Sequence, residues 1–141
     1  NSALCLKLDY ECFSTVDLLC IDLMTGICEF FKIGGSESIV LHGPNVETVF
    51  SVSLPVGMLP DIKVQGQAKR LDDGDIIIMM SDGISEAGFG TVRTDWLKKE
   101  IKMPFDTMDE MSQSVIENAV KKSRDAVIDD MTVATIRLIK N

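Results

Sequence analysis

The sequence predicts an α+β domain: a β-rich first half, then two helices and a closing strand. Three observations carry that prediction. Up to residue 75 short stretches rich in β-branched and aromatic residues are separated by Gly, Pro, Asn and Asp. The run Ile76–Met80 is apolar without alternation, the pattern of a central strand covered on both faces. Thr107-Met108-Asp109-Glu110 is a Thr-x-x-Glu capping box that opens a helical pattern.

The elements follow in order. Thr15–Leu23 alternates in part, Thr25-Gly26 turns the chain, and Ile27–Ile33 returns as the second arm of a hairpin. After Gly34-Gly35, Ile39–Leu41 and Val46–Phe50 read as short strands around the turn His42-Gly43-Pro44-Asn45, so the first half is expected to be a β-meander. Ser53–Gly57 contains Pro55, which lacks a ladder donor, and Gly57, which permits positive φ; it is expected to be a shaped loop. Ile62–Leu71 is strand-like, and Asp72-Asp73-Gly74-Asp75 is expected to join it to Ile76–Met80 as a hairpin turn. Gly88 and Gly90 make a flexible connection, Asp95 opens one helix, and Met111, Val115 and Ala119 line the second at i, i+4 spacing, with Lys121-Lys122 closing it against the helix dipole. Met131–Ile139 is the terminal strand, with Val133, Ile136 and Leu138 set against Thr132, Ala134 or Thr135, and Arg137. No internal repeat or low-complexity tract breaks residues 1–141, which read as a single domain.

Composition narrows the function. The 141 residues are 45% hydrophobic, 26% charged and 6% aromatic, the balance of a chain with an adequate core. The longest apolar run falls far short of the ~18 residues of a membrane span. With 14 basic against 22 acidic residues the formal net charge is −8, which repels nucleic acid and anionic lipid and makes both poor partners. Asn1 is not preceded by an initiator Met and opens no basic-then-apolar leader, so the chain reads as a part of something longer without a secretory signal. Cys5, Cys12, Cys20 and Cys28 lie at spacings of 7, 8 and 8 with no Cys-x-x-Cys and His42 as the single histidine, which argues against a zinc cage. The even count of four leaves a disulfide pair open, but each sits in an apolar strand-like run, where a reduced, buried thiol is the commoner state; a reducing, cytoplasmic setting is expected.

The residues that point to chemistry are acidic. Asp82 is expected at the end of a buried apolar strand, where an unpaired charge is costly. Asp129-Asp130 stands at the mouth of the terminal strand, so neighbouring strands would converge three carboxylates on one edge. Like charges that close repel unless a cation lies between them, and with no His or Cys set the fitting ions are Mg²⁺ or Mn²⁺. Such a site serves metal-assisted hydrolysis of a phosphate ester. Taken singly, Asp82-Gly83 also reads as a tight turn and Asp129-Asp130 as a charged gatekeeper at a strand entrance. Asp72–Asp75 lacks the length and spacing of a calcium loop, Gly88-Phe89-Gly90 is a weak phosphate cradle, His42 reads as an exposed turn residue, and Met108 and Met111 read as core.

Ile77-Ile78-Met79-Met80-Ser81-Asp82-Gly83-Ile84 resembles the metal-binding strand of the protein phosphatase 2C superfamily, and Asp129-Asp130-Met131-Thr132-Val133 resembles its terminal Asp-Asn/Asp-Met-Thr motif. More narrowly, Phe13–Leu18 with Ile21-Asp22-Leu23, Phe31-Lys32-Ile33-Gly34 and Ser53–Leu59 are similar to phosphatase domains of the stage II sporulation protein E family. The resemblance runs the length of the chain. It implies a phosphatase 2C-like β-sandwich flanked by helices, and a manganese-dependent (or magnesium-dependent) serine phosphatase acting on a phosphorylated anti-sigma-factor antagonist in sporulation signalling. Carried over by position, Asp82 would bridge two metal ions and Asp129 would bind one. Asp130 takes the adjoining slot, often Asn in relatives, and Gly83 is a backbone candidate. Metal-held water is then the nucleophile, and no side chain is needed for that role.

The family's earlier Asp-Gly-Met-Gly motif is missing here, since the Asp-Gly pairs present are Asp73-Gly74 and Asp82-Gly83. The first strands and preceding regulatory helices are missing with it, so the chain is expected to be the C-terminal part of the domain, to bind metal poorly and catalyse little alone, and to self-associate through open sheet edges. The alternative is a non-catalytic, phosphatase-like interaction or dimerisation domain.

Overall fold

A computed structural model describes residues 1–5, 13–64, 66–87, 95–123 and 129–140. Cys12 and the Gly88-Phe89-Gly90 segment lie outside the described residues. The described residues form two compact units, Asn1–Ser36 with Val49–Leu71, and Glu37–Thr48 with Asp72–Asn141. Among them no helix is long and apolar enough to cross a membrane.

The first unit holds a short helix α1 (Ser2–Cys5) and an antiparallel sheet of β1 (Val16–Ile21), β2 (Ile27–Ile33) and β5 (Gly66–Arg70), with β2 in the middle. The β1–β2 turn forms as its residues dictate. Asp22 Oδ1 accepts from the Met24 amide at 2.9 Å, Thr25 Oγ1 donates to Asp22 Oδ2 at 2.8 Å, and Gly26 takes φ 74°, which a side chain would resist. Strand β2 alternates, burying Cys28, Phe30 and Lys32. Lys32 sits directly opposite Asp17 on β1, and its ammonium is paired with that carboxylate. In the Ser53–Gly57 loop, Pro55 lies so close to Gly34 (φ 65°) that an added Cβ would stand 2.6 Å from the proline ring. The shaped loop is thereby held by backbone, Val56 and Ser14 exchanging hydrogen bonds at 2.8 and 2.9 Å.

The second unit carries the sheet β4-β3-β6-β7, built from β3 (Ser38–His42), β4 (Asn45–Val49), β6 (Ile76–Met80) and β7 (Val133–Arg137). Strand β6 is central, antiparallel to both β3 and β7, and Ile77 and Ile78 on its opposite faces are fully buried. Helices α2 (Asp82–Ser85), α3 (Asp95–Glu100) and α4 (Met108–Lys122) accompany it. Met111, Val115 and Ala119 of α4 join Ile39, Leu41, Ile78, Met80, Ile84 and Leu97 in one apolar core. Thr135 Oγ1 donates to the Met108 carbonyl at 2.9 Å and accepts from Ser112 at 2.7 Å, fastening α4 to β7.

Several expectations are corrected. The first half is not a meander, because β2 takes β5 and β3 takes β6 as their further neighbours, dividing the strands between two sheets. Asp72–Asp75 therefore links strands of different sheets instead of closing a hairpin, and β5 is limited to Gly66–Arg70. On β7 the strict two-residue period puts Val133, Thr135 and Arg137 on the covered side and leaves Ile136 exposed. Among the described cysteines, Cys28 alone is buried in a strand as expected; Cys20 is exposed on β1 and Cys5 lies on α1, and these three are free thiols.

Thr107 Oγ1 accepts from the Glu110 amide at 3.1 Å, while Glu110 Oε2 reaches back to the Asp106 amide at 3.1 Å. Thr107→Ala is expected to cost ~1 kcal/mol in urea unfolding; an unchanged midpoint would show that the cap contributes nothing. Burial pushes the Cys28 thiol pKa up, so peptide mapping after brief native treatment with a thiol reagent should find Cys20 modified and Cys28 modified only after denaturation.

Candidate metal centre

The candidate carboxylates come together because β6 and β7 pair to their ends. Met80 faces Val133 in the register, and beyond it the Ser81 amide donates to the Thr132 carbonyl at 2.9 Å. The Ser81 hydroxyl then acts twice, donating to the Asp130 carbonyl and accepting from the Thr132 amide, each at 2.9 Å. Residues 49 apart in sequence are thus stitched at one end of the sheet. Gly83 completes the junction. A Cβ at this position would stand 2.5 Å from the Asp130 carbonyl oxygen and 3.2 Å from that of Asp129, so the backbones approach as closely as they do only because residue 83 has no side chain.

Asp82 opens α2 and Asp129-Asp130 precedes β7, so this end of the sheet brings the backbones of the three predicted acidic residues close, while their carboxylates do not gather as the three-carboxylate group expected. The environment differs from expectation in one respect. Asp82 is exposed, as are Asp129 and Asp130, since β6 ends at Met80, two residues before Asp82; burial therefore does not force a counter-charge on Asp82. Asp82-Gly83 starts a helical turn instead of a tight turn. Asp82 Oδ1 accepts from the Gly83 amide at 3.0 Å and Asp129 Oδ1 from the Asp130 amide at 2.8 Å. These bonds fix each carboxylate to its own backbone while the second oxygen of each takes no donor among the described residues.

Oxygen-only donors of this kind suit Mn²⁺ or Mg²⁺. Among the described residues no three His, Cys, Asp or Glu side chains are gathered as a metal cage. Asp82 and Asp129 offer the oxygen donors that a hard cation takes, but these residues do not by themselves gather into a metal-holding group. Ser81, which ties the two segments together, was not singled out in the sequence; its place directly before Asp-Gly at a strand exit is the signal that could have found it. His42 also differs from expectation. At the end of β3 its Nδ1 shares a 2.7 Å hydrogen bond with Asp75, whose same oxygen accepts from the Asp72 amide at 2.7 Å, and Asp75 is buried. That cluster belongs to the start of β6, away from Asp82.

Two antiparallel sheets, helices on the second, and a carboxylate at the exit of its central strand define the phosphatase 2C class of fold. The phosphatase domain of the cell fate determinant SpoIIE from Bacillus subtilis, from manganese-presoaked crystals, is similar over all of this chain and 64% of that one, with TM-score 0.81 and 31% identity. The catalytic domain of the serine/threonine phosphatase PstP, in complex with two manganese ions, is similar in fold over 99% of this chain and 66% of that one, with TM-score 0.76 and 15% identity.

The stage II sporulation protein E family matches residues 1–139, and the chain belongs to that family. It is 34% identical to stage II sporulation protein E of Bacillus subtilis (strain 168) and 31% identical to that of Priestia megaterium, each over the whole chain. It spans 17% and 24% of those relatives' lengths.

Gly83→Ala should destabilise the protein by about 1–3 kcal/mol, because the added methyl must displace backbone instead of a pliable side chain. The Thr132 amide resonance should shift with it. A variant with wild-type stability and an unmoved Thr132 amide would show that the junction tolerates a Cβ.

Proposed function

We propose that this chain is the C-terminal part of one metal-dependent protein-serine phosphatase domain, residues 1–141 supplying part of its metal site. The observation that supports the reading is the Ser81–Gly83 junction, which draws Asp82 to the same sheet end as Asp129 and Asp130. In this reading Asp82 and Asp129 hold Mn²⁺ or Mg²⁺, two ions in the complete domain, with Asp130 as a secondary ligand and Gly83 keeping the two backbones in contact. Bound there, the ions supply a Lewis acid for phosphoryl oxygens and an activated water. The chain's own part is positional. Ser81 locks the two acidic segments, and the Gly83 and Asp130 amides each hold one oxygen of the Asp82 and Asp129 carboxylates.

The substrate we propose is a phosphoserine on an anti-sigma-factor antagonist, in line with the sporulation proteins to which the chain is similar, and the setting is cytoplasmic. Two or three carboxylates from one sheet end do not complete a two-ion site, which supports the view that the isolated chain binds metal weakly, turns over little, and associates with itself through open sheet edges. The same incompleteness favours a second reading, a phosphatase-like interaction domain without catalysis.

The deciding experiment is manganese-dependent phosphate release from a phosphoserine protein, with the chain extended upstream in its native sequence. Activity is expected, and Asp82→Asn should lower it at least about 100-fold, since even outer-sphere changes at metal sites cost 10- to 100-fold. No release from the metal-loaded extended protein would overturn the enzyme reading in favour of the interaction domain. Full specific activity of the isolated 141 residues would overturn the incomplete-site part.

A further inference from the structure

Ser81 immediately precedes helix α2, yet its hydroxyl does not serve that helix. It is the N-cap residue, with extended backbone (φ −78°, ψ 167°), and its side chain makes no capping hydrogen bond. A serine at this position ordinarily turns its oxygen to an amide of the first helical turn. Here the Ile84 and Ser85 amides donate to the Ser81 carbonyl, at 3.1 and 3.2 Å. The hydroxyl is turned across the sheet end instead, to the Asp130 carbonyl and the Thr132 amide, 2.9 Å from each.

The place where the ladder stops explains that use. The β6–β7 register ends at Met80 opposite Val133, the Ser81 amide adds one bond to the Thr132 carbonyl at 2.9 Å, and residue 82 has already turned into α2. Among the described residues three hydrogen bonds join residue 81 to residues 130 and 132, and the hydroxyl makes two of them. It thus brackets Met131 from both sides. Residue 130 adjoins Asp129 and residue 81 adjoins Asp82, so the hydroxyl fixes the two acidic segments relative to each other where the main chain no longer does. Gly83 permits that spacing by having no Cβ, and Ser81 sets it. Since the carboxylates do not gather by themselves, this backbone spacing is the part of the sheet end that is built in advance.

We propose that Ser81 is the positioning residue of the metal site: its hydroxyl sets the spacing of Asp82 and Asp129, and a cation shared by those carboxylates strengthens the bonds the hydroxyl makes. The inference rests on the metal-dependent reading of this sheet end. Coupling of this kind is reciprocal, so whatever the hydroxyl adds to the affinity for the cation, the cation returns to the hydroxyl's hydrogen bonds. A serine that served stability alone would contribute equally with and without metal.

The test uses the chain extended upstream in its native sequence, with Mn²⁺ alone in calorimetric titration and Mg²⁺ alone in amide hydrogen exchange. Mg²⁺ should slow exchange of the Thr132 amide about tenfold. The Leu138 amide, bonded to the Asp75 carbonyl at the other end of β6, should be unaffected. Ser81→Ala should weaken Mn²⁺ binding at least about tenfold, as outer-sphere changes at metal sites do, and Ser81→Thr should restore it, since the extended backbone at residue 81 accepts a β-branched side chain. Mn²⁺ bound as tightly by Ser81→Ala as by the wild type would overturn the positioning role and leave the metal site standing. Thr132 and Leu138 slowed alike, or Ser81→Thr binding as weakly as Ser81→Ala, would do the same. No Mn²⁺ binding by the wild type, or binding undiminished in Asp82→Asn, would overturn the metal-dependent reading and this inference with it. The exchange comparison is made on the wild type, so it decides the matter even if Ser81→Ala does not fold.

Discussion

The demand of strand β6 for hydrogen bonds on both edges organises the second unit. Ile77 and Ile78 are fully buried on opposite faces, so its backbone groups have no water to turn to and must pair with β3 on one side and β7 on the other. Once β7 is paired to the end, Ser81 meets Thr132 and Asp130, and the acidic residues at the strand exit and at the strand entrance become neighbours. The acidic cluster is a by-product of closing the ladder. Its geometry then depends on a glycine, since any side chain at residue 83 would collide with the Asp130 carbonyl.

Among the described residues each unit contains one buried ionic side chain, Lys32 in the first and Asp75 in the second, and the two are satisfied differently. Lys32 on β2 faces Asp17 directly across the β1–β2 ladder, so the ion pair ties the strand register to the charge pattern. A slip of one residue would turn Lys32 to the other face and leave both charges alone. Asp75 is held instead by a turn amide and by His42, at a sheet end where the chain changes direction. In both cases pairing is local, and removal of one partner would leave a charge poorly solvated.

Most elements were legible in the residues because local rules and tertiary demands agree there. Ile27–Ile33 and Ile76–Met80 are strands with the expected bounds, and Thr107 caps α4 through the expected Glu110 amide. What was not legible depends on pairing across long sequence separations. Consecutive hairpins look the same in a meander as in two sheets, and nothing near β2 says that its second partner is Gly66–Arg70. Ile62–Val64 is as apolar as a strand yet forms none, its neighbour on the chain being the loop that Pro55 and Gly57 shape. For the acidic residues, their convergence on one edge was readable from strand order, whereas the exposure of Asp82 was not, because the ladder stops at Met80 and the next turn winds outward as α2. Arg137 carried no local signal at all. Its place on the covered side of β7 follows from the strand's phase, which Val133 and Thr135 set by packing under α4.

The two ends of β6, about 13 Å apart for a five-residue strand, hold their acidic residues in different ways. At the exit Asp82 is exposed and accepts from its own Gly83 amide, so water screens its charge and the nearby acidic segment before β7 is tolerated. At the start Asp75 is buried, and its carboxylate is held by the Asp72 amide and by His42. A charge taken out of water there depends on those partners, whereas the exposed carboxylates at the exit do not depend on any.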